Sequence, residues 1–236
     1  MYTQQSTNQR LIMSRLTRPS WISHKRRQLA ILCRDASPSM SGQKAKDASQ
    51  ACFQLVRELA NPANKDGFWS SVIDFAGSAQ VKHDLVSAVD LAQTLRPIST
   101  SLFSGGTNIT AGLELASQLS QKKLDDGQED VCWLKPVVIL FSDGCHNRGP
   151  KPDVIATALR KSADVVTVAY GSDADISLLR NLATSPQHHY QCKNGSDLRQ
   201  FFAAVGASMT ASLASGVDAT NALAQIKQLD SERGLQ

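Results

Sequence analysis

The chain has 236 residues, 42% of them hydrophobic and 19% charged, with a formal net charge of +4. That length accommodates one α/β domain with a proper core plus tails, and the composition is ordinary for a soluble globular protein. No run of eighteen apolar residues occurs, which excludes a helical membrane span, and no apolar stretch near the N-terminus is long enough for a signal-peptide core.

Residues 1–27 read as a basic arm holding Arg10, Arg15, Arg18, Lys25, Arg26 and Arg27 and no acid, so the rest of the chain is net acidic. Such an arm is a solvated tail unless a partner claims it, and it contains no recognisable nucleic-acid motif, so nucleic acid is not expected as a partner. The domain proper is expected over 28–211. Its first strand, about 29–34, is apolar enough to be central. A helix over 42–60 follows, with Ala48, Cys52, Leu55, Val56 and Leu59 on one face. Phe68–Phe75 reads as strand two, and a turn at 76–78 leads to an antiparallel third strand over 79–85.

A short helix is expected over 87–95, then a Ser/Thr/Gly loop over 98–106 and a helix from Thr107 to Gln121. Residues 122–130 form an acidic loop. Strand four runs over 136–142, a helix over 153–161, strand five over 165–170, a helix over 175–183 and strand six over 188–192. A closing helix spans 196–210, with Ser196 as its cap. Residues 212–236 form a tail whose weak stripe of Leu223, Ile226 and Leu229 allows a short helix. Alternating strands and helices imply a doubly wound, Rossmann-like and mostly parallel six-stranded sheet, order 3-2-1-4-5-6, with strand three antiparallel. Ligands of such sheets bind where strand order reverses, here between the ends of strands one and four.

Those two ends carry the most informative residues. Asp35-Ala36-Ser37-Pro38-Ser39 closes strand one and places a carboxylate and two hydroxyls at alternate positions, facing one point. Thr107 follows Ser104-Gly105-Gly106, and Asp143 ends strand four. Asp35, Ser37, Ser39, Thr107 and Asp143 together offer oxygen ligands suited to a hard cation, Mg²⁺ or Mn²⁺, with a place left for an outside ligand. Arg148 and His146 lie just beyond Asp143, and a rim there would favour acidic partners.

These three segments, in this order, resemble the metal-ion-dependent adhesion site of von Willebrand factor A (VWA) domains. Within that superfamily, Gly105-Gly106-Thr107-Asn108-Ile109, Lys135 to Gly144, Val165 to Gly171, Ala174-Asp175, Leu178-Leu179 and Phe201 to Val205 are similar to the TerY-type proteins of bacterial tellurite-resistance and stress operons. The resemblance covers about 28–211. It implies a module that captures an acidic side chain of a protein partner through a bound cation; no nucleophile or general base is evident, so no enzyme is expected, and the cysteine usage makes the cytoplasm the expected location. It further implies stress-response or phosphorylation-linked signalling, with a protein kinase and a PP2C-type phosphatase as partners. Pro38 and the string Cys145-His146-Asn147-Arg148 depart from the usual pattern.

Five cysteines, an odd count without a pairing pattern, agree with a reducing compartment. The alternative reading is a Mg²⁺-dependent phosphohydrolase of the haloacid-dehalogenase type, which also places an Asp after a central strand. That chemistry needs a second acid two residues on, where this chain has Ser37. Zinc at Cys145 and His146, or at His188, His189 and Cys192, lacks a recognised ligand spacing.

Overall fold

The computed structural model describes residues 25–100, 105–122, 131–143 and 145–233, with the side chains of 227–233 left aside. Most of the basic arm, most of the acidic loop (residues 123–130), Ser104 and Gly144 lie outside the described residues. The elements are β1 (Lys25–Asp35), α1 (Gln43–Leu59), β2 (Phe68–Phe75), β3 (Ala79–Ser87), α2 (Ala88–Thr94), α3 (Ile109–Ser120) and β4 (Val131–Trp133). They continue with β5 (Val137–Ser142), α4 (Asp153–Leu159), β6 (Asp164–Tyr170), α5 (Ile176–Leu182), β7 (His189–Cys192), α6 (Gly195–Ser215) and α7 (Thr220–Arg233).

The main sheet has the order β3-β2-β1-β5-β6-β7, with β3 antiparallel to β2 and the other pairs parallel. This is the expected order with one strand added. The addition is β4, which pairs with β1 through Lys25–Val131, Arg26–Cys132 and Arg27–Trp133. Lys25, Arg26 and Arg27, read from sequence as the end of the arm, therefore belong to β1. Arg27 is buried between the rings of Trp69 and Trp133, 5.3 Å and 5.8 Å from their centroids.

Alternation along the central strands builds two cores. Ala30, Leu32, Val137, Ile139 and Phe141 face α1 and α6, where Leu55, Phe202, Val205 and Met209 meet them. Ile31, Cys33, Val138 and Leu140 face the opposite side, against Ile109 and Leu113 of α3 and Leu179 of α5. Two local expectations are corrected. α6 is capped by Asn194, whose side chain accepts from the N–H groups of Ser196 and Asp197, so Ser196 is already inside the helix. α3 begins at Ile109 with Asn108 as its cap, because the Asn108 side chain accepts from the Ala111 N–H. Thr107 is thus a loop residue ahead of the helix and not its first turn.

Candidate metal centre

At the end of β1 the chain folds back on itself through its own polar groups. The Ala36 N–H donates to the Phe75 carbonyl at 2.7 Å, which ties the loop to the end of β2. The Ser37 N–H donates to Asp35 Oδ1 at 2.8 Å. Pro38 opens a single 3₁₀ turn, Pro38–Met40, closed by the Met40 N–H on the Ser37 carbonyl at 3.0 Å. A missing N–H costs nothing at the first position of a turn, which accounts for the proline. The turn brings Ser37 Oγ within 3.0 Å of Ser39 Oγ.

β5 supplies the other half. Ser142 Oγ donates to Asp35 Oδ2 at 2.5 Å, across from β1. Asp35 is fully buried, and burial pushes its carboxyl up to about 6, with the neighbouring Asp143 charge adding to the rise and the hydrogen bonds from Ser142 and Ser37 opposing it. Asp143 is fully buried as well. Its Oδ1 accepts a long 3.4 Å hydrogen bond from the Cys145 N–H, and its Oδ2 has no hydrogen-bond partner among the described residues. The Lys44 ammonium stands 3.9 Å from that oxygen, beyond hydrogen-bond reach. A buried carboxylate oxygen without a partner is costly. A cation beside hydroxyls is what this donor set fits, so Asp35, Ser37, Ser39, Thr107 and Asp143 are chemically suited to hold one.

Thr107 is positioned by a clasp that local sequence does not announce. Its N–H donates to Asn147 Oδ1 at 2.8 Å, and its carbonyl accepts from the N–H groups of Asn147 and Arg148 at 3.1 Å and 3.2 Å. His146 Nδ1 accepts the Ile109 N–H at 3.2 Å, so this ring is committed to the start of α3. Arg148 is exposed and lies over Gly106, where a Cβ would come within 2.8 Å of it and where φ is +101°. Of the two rim residues expected from sequence, Arg148 faces solvent and His146 is half-buried.

The other candidates separate. His188 Nε2 meets the Thr220 carbonyl at 3.0 Å, and His189 Nδ1 pairs with Thr167 Oγ1 at 3.0 Å. Among the described residues no three His, Cys, Asp or Glu side chains gather as metal ligands. The candidate centre instead draws on two buried carboxylates, Asp35 and Asp143, at the ends of adjacent strands. Both Asp35 oxygens already accept hydrogen bonds from the chain, which suits a fixed ligand better than a nucleophile.

A family model of the von Willebrand factor type A domain matches residues 31–204. No match was found among curated proteins. Solved structures with the same fold include proximal thread matrix protein 1 from the mussel byssus, at 18% identity and a TM-score of 0.63 over 80% of this chain and 48% of that one. The same mussel protein with a zinc-occupied metal-ion-dependent adhesion site matches at 24% identity and TM-score 0.60, over 78% of this chain and 46% of that one. A conserved hypothetical protein, BatB from Bacteroides thetaiotaomicron, matches at 21% identity and TM-score 0.60, over 78% of this chain and 98% of that chain. The chain therefore spans about half the length of the mussel protein and nearly all of the bacterial one.

Proposed function

The chain belongs to the von Willebrand factor type A domain family, known for metal-dependent adhesion and protein interaction, and from that premise we propose that it is a cation-dependent protein-binding module. The observation that carries this reading is the buried Asp143 Oδ2, which accepts no hydrogen bond among the described residues, beside the buried Asp35 at the ends of adjacent strands. Asp35, Ser37, Ser39, Thr107 and Asp143 would hold Mg²⁺ or Mn²⁺. When bound, the cation supplies an electrophilic centre for an outside carboxylate. The protein's own part is positional: Ser142 and the Ser37 N–H fix Asp35, and Asn147 fixes the Thr107 backbone. Arg148, exposed at the rim, adds positive charge that steers an acidic partner side chain.

VWA domains are typically interaction modules without enzymatic activity. The likeness to TerY-type proteins supports the finer reading, a cytoplasmic component of bacterial stress-response or phosphorylation-linked signalling. A protein kinase and a PP2C-type phosphatase are its proposed partners. No described helix is long and apolar enough to cross a membrane.

Calorimetry with Mn²⁺ on the wild type, Asp35→Ala and Asp143→Asn tests the site. The wild type should bind one ion, and both variants should lose binding while keeping the wild-type circular dichroism spectrum. Wild-type affinity in either variant would move the ion elsewhere. Pull-downs in Mg²⁺ and in EDTA test the partner reading: retention unchanged by EDTA would show docking on another surface.

A further inference from the structure

Lys44 is the second residue of α1, and its ammonium occupies an unusual place. It lies 3.9 Å from Asp143 Oδ2, the buried oxygen that accepts no hydrogen bond among the described residues. On its other side it grips Asp173 through both carboxylate oxygens, at 2.9 Å and 3.1 Å. Asp173 follows Gly171, whose φ of +100° bends the chain after β6. A Cβ on Gly171 would meet Asp173 Oδ1 at 2.8 Å and Lys44 Nζ at 3.1 Å, so the glycine makes room for the pair. The Lys44 side chain is one-quarter exposed and that of Asp173 more than half exposed, which leaves the pair open to solvent and Asp143 closed to it.

Two cations cannot share one carboxylate oxygen without mutual repulsion. Lys44 is tethered to α1 and cannot leave the neighbourhood, and Asp173 is the anion that draws its charge outward. We propose that the Lys44–Asp173 pair sets the cation affinity of the site: Lys44 competes with the metal for Asp143, and Asp173 relieves that competition by holding the ammonium away. This inference rests on the metal-site reading above. It adds a direction that the five ligands alone do not predict. Removing Lys44 should strengthen cation binding although it removes a contact, and removing the Asp173 charge should weaken binding although Asp173 is not among the five ligands. In the metal-free protein the same ammonium partly neutralises Asp143, so its loss should lower stability there.

Mn²⁺ calorimetry and metal-free thermal melting of four proteins test this: wild type, Lys44→Met, Asp173→Asn and Lys161→Met. Lys161 is exposed and stands just before β6 begins, away from the strand ends that carry the site, so its variant controls for net charge alone. Lys44→Met should bind Mn²⁺ roughly tenfold more tightly, the effect of a unit charge on a divalent ion across several ångströms of partly hydrated space. Its metal-free Tm should fall at the same time. Asp173→Asn should bind more weakly, and Lys161→Met should match the wild type. A residue of merely structural value would lose affinity and stability together. Lys44→Met binding as the wild type does, or more weakly, would overturn the proposal while leaving the metal site standing. A wild type that binds no Mn²⁺ would remove the site and this inference with it.

Discussion

Asp35 concentrates the conflict between folding and function in one side chain. Its folded pKa of about 6 lies above the ordinary 3.8, so the fold favours its protonated form. The stability that follows from this shift is fully present below the ordinary value and lost as pH rises through about 6. The metal-free domain should therefore be more stable at pH 5 than at pH 7 so far as this residue is concerned, by about 1–3 kcal/mol. A cation reverses the preference, because it rewards the ionised carboxylate. Mn²⁺ should raise Tm more at pH 7 than at pH 5, and its affinity should fall as pH drops below about 6, when Asp35 protonates. Asp35→Asn should gain metal-free stability at pH 7 while losing the ion. Melting curves in EDTA and in Mn²⁺ at the two pH values would reveal both signs, and a Tm increment independent of pH would mean Asp35 is not a ligand.

The elements show which parts of the fold and the site a sequence can disclose. β5 is apolar up to Ser142, the 29–33 part of β1 is apolar throughout, and β6 is apolar after Asp164 except at Thr167, because strands buried on both faces favour apolar residues; the ends of β1 and β5 place Asp35 and Asp143. β4 is not legible: three residues closely followed by Pro136 carry no alternation, and only pairing with Lys25–Arg27 makes them a strand. Asn147 and Lys44 are equally hidden, since their partners lie 40 and 129 residues away. Arg34 is another case, a cation within an apolar run. Asp74, its register partner on β2, receives its guanidinium at 2.6 Å and 3.0 Å, and both side chains are buried. Asp74→Ala strands that charge and should cost about 3–5 kcal/mol in urea unfolding. Asn147→Ala should instead leave stability nearly unchanged, because Asn147 is exposed, and weaken Mn²⁺ by about tenfold to a hundredfold by freeing Thr107.

At the scale of the whole molecule, the two ends of the sheet do different work. The C-terminal ends of β1 and β5 carry the candidate metal centre, and the opposite end is closed by α7. Leu223 and Ile226 of α7 are buried in the same core as α1 and α6. Thr220 Oγ1 donates to Asp164 Oδ2 at 2.6 Å, the Lys135 N–H donates to Asp218 Oδ1 at 2.8 Å, and the Tyr190 hydroxyl donates to the Leu223 carbonyl. His188 joins this seam through Nε2 on the Thr220 carbonyl. Burial lowers the His188 pKa, the Asp164 charge opposes that shift, and the Lys135 charge adds to it. A histidine held neutral contributes stability that is present above its ordinary 6.5 and lost as pH falls through the lowered folded value. Acidification should therefore loosen α7 before the central strands. Hydrogen exchange at pH 7 and pH 5, corrected for intrinsic rates, should show protection falling in α7 while β1 and β5 hold theirs. Leu223→Ala, which opens a cavity at the same seam, should cost about 2–5 kcal/mol and bring the loss of α7 protection to higher pH. If α7 keeps its protection at pH 5 as fully as β5 does, its docking does not depend on His188, and apolar contacts alone hold that end of the sheet.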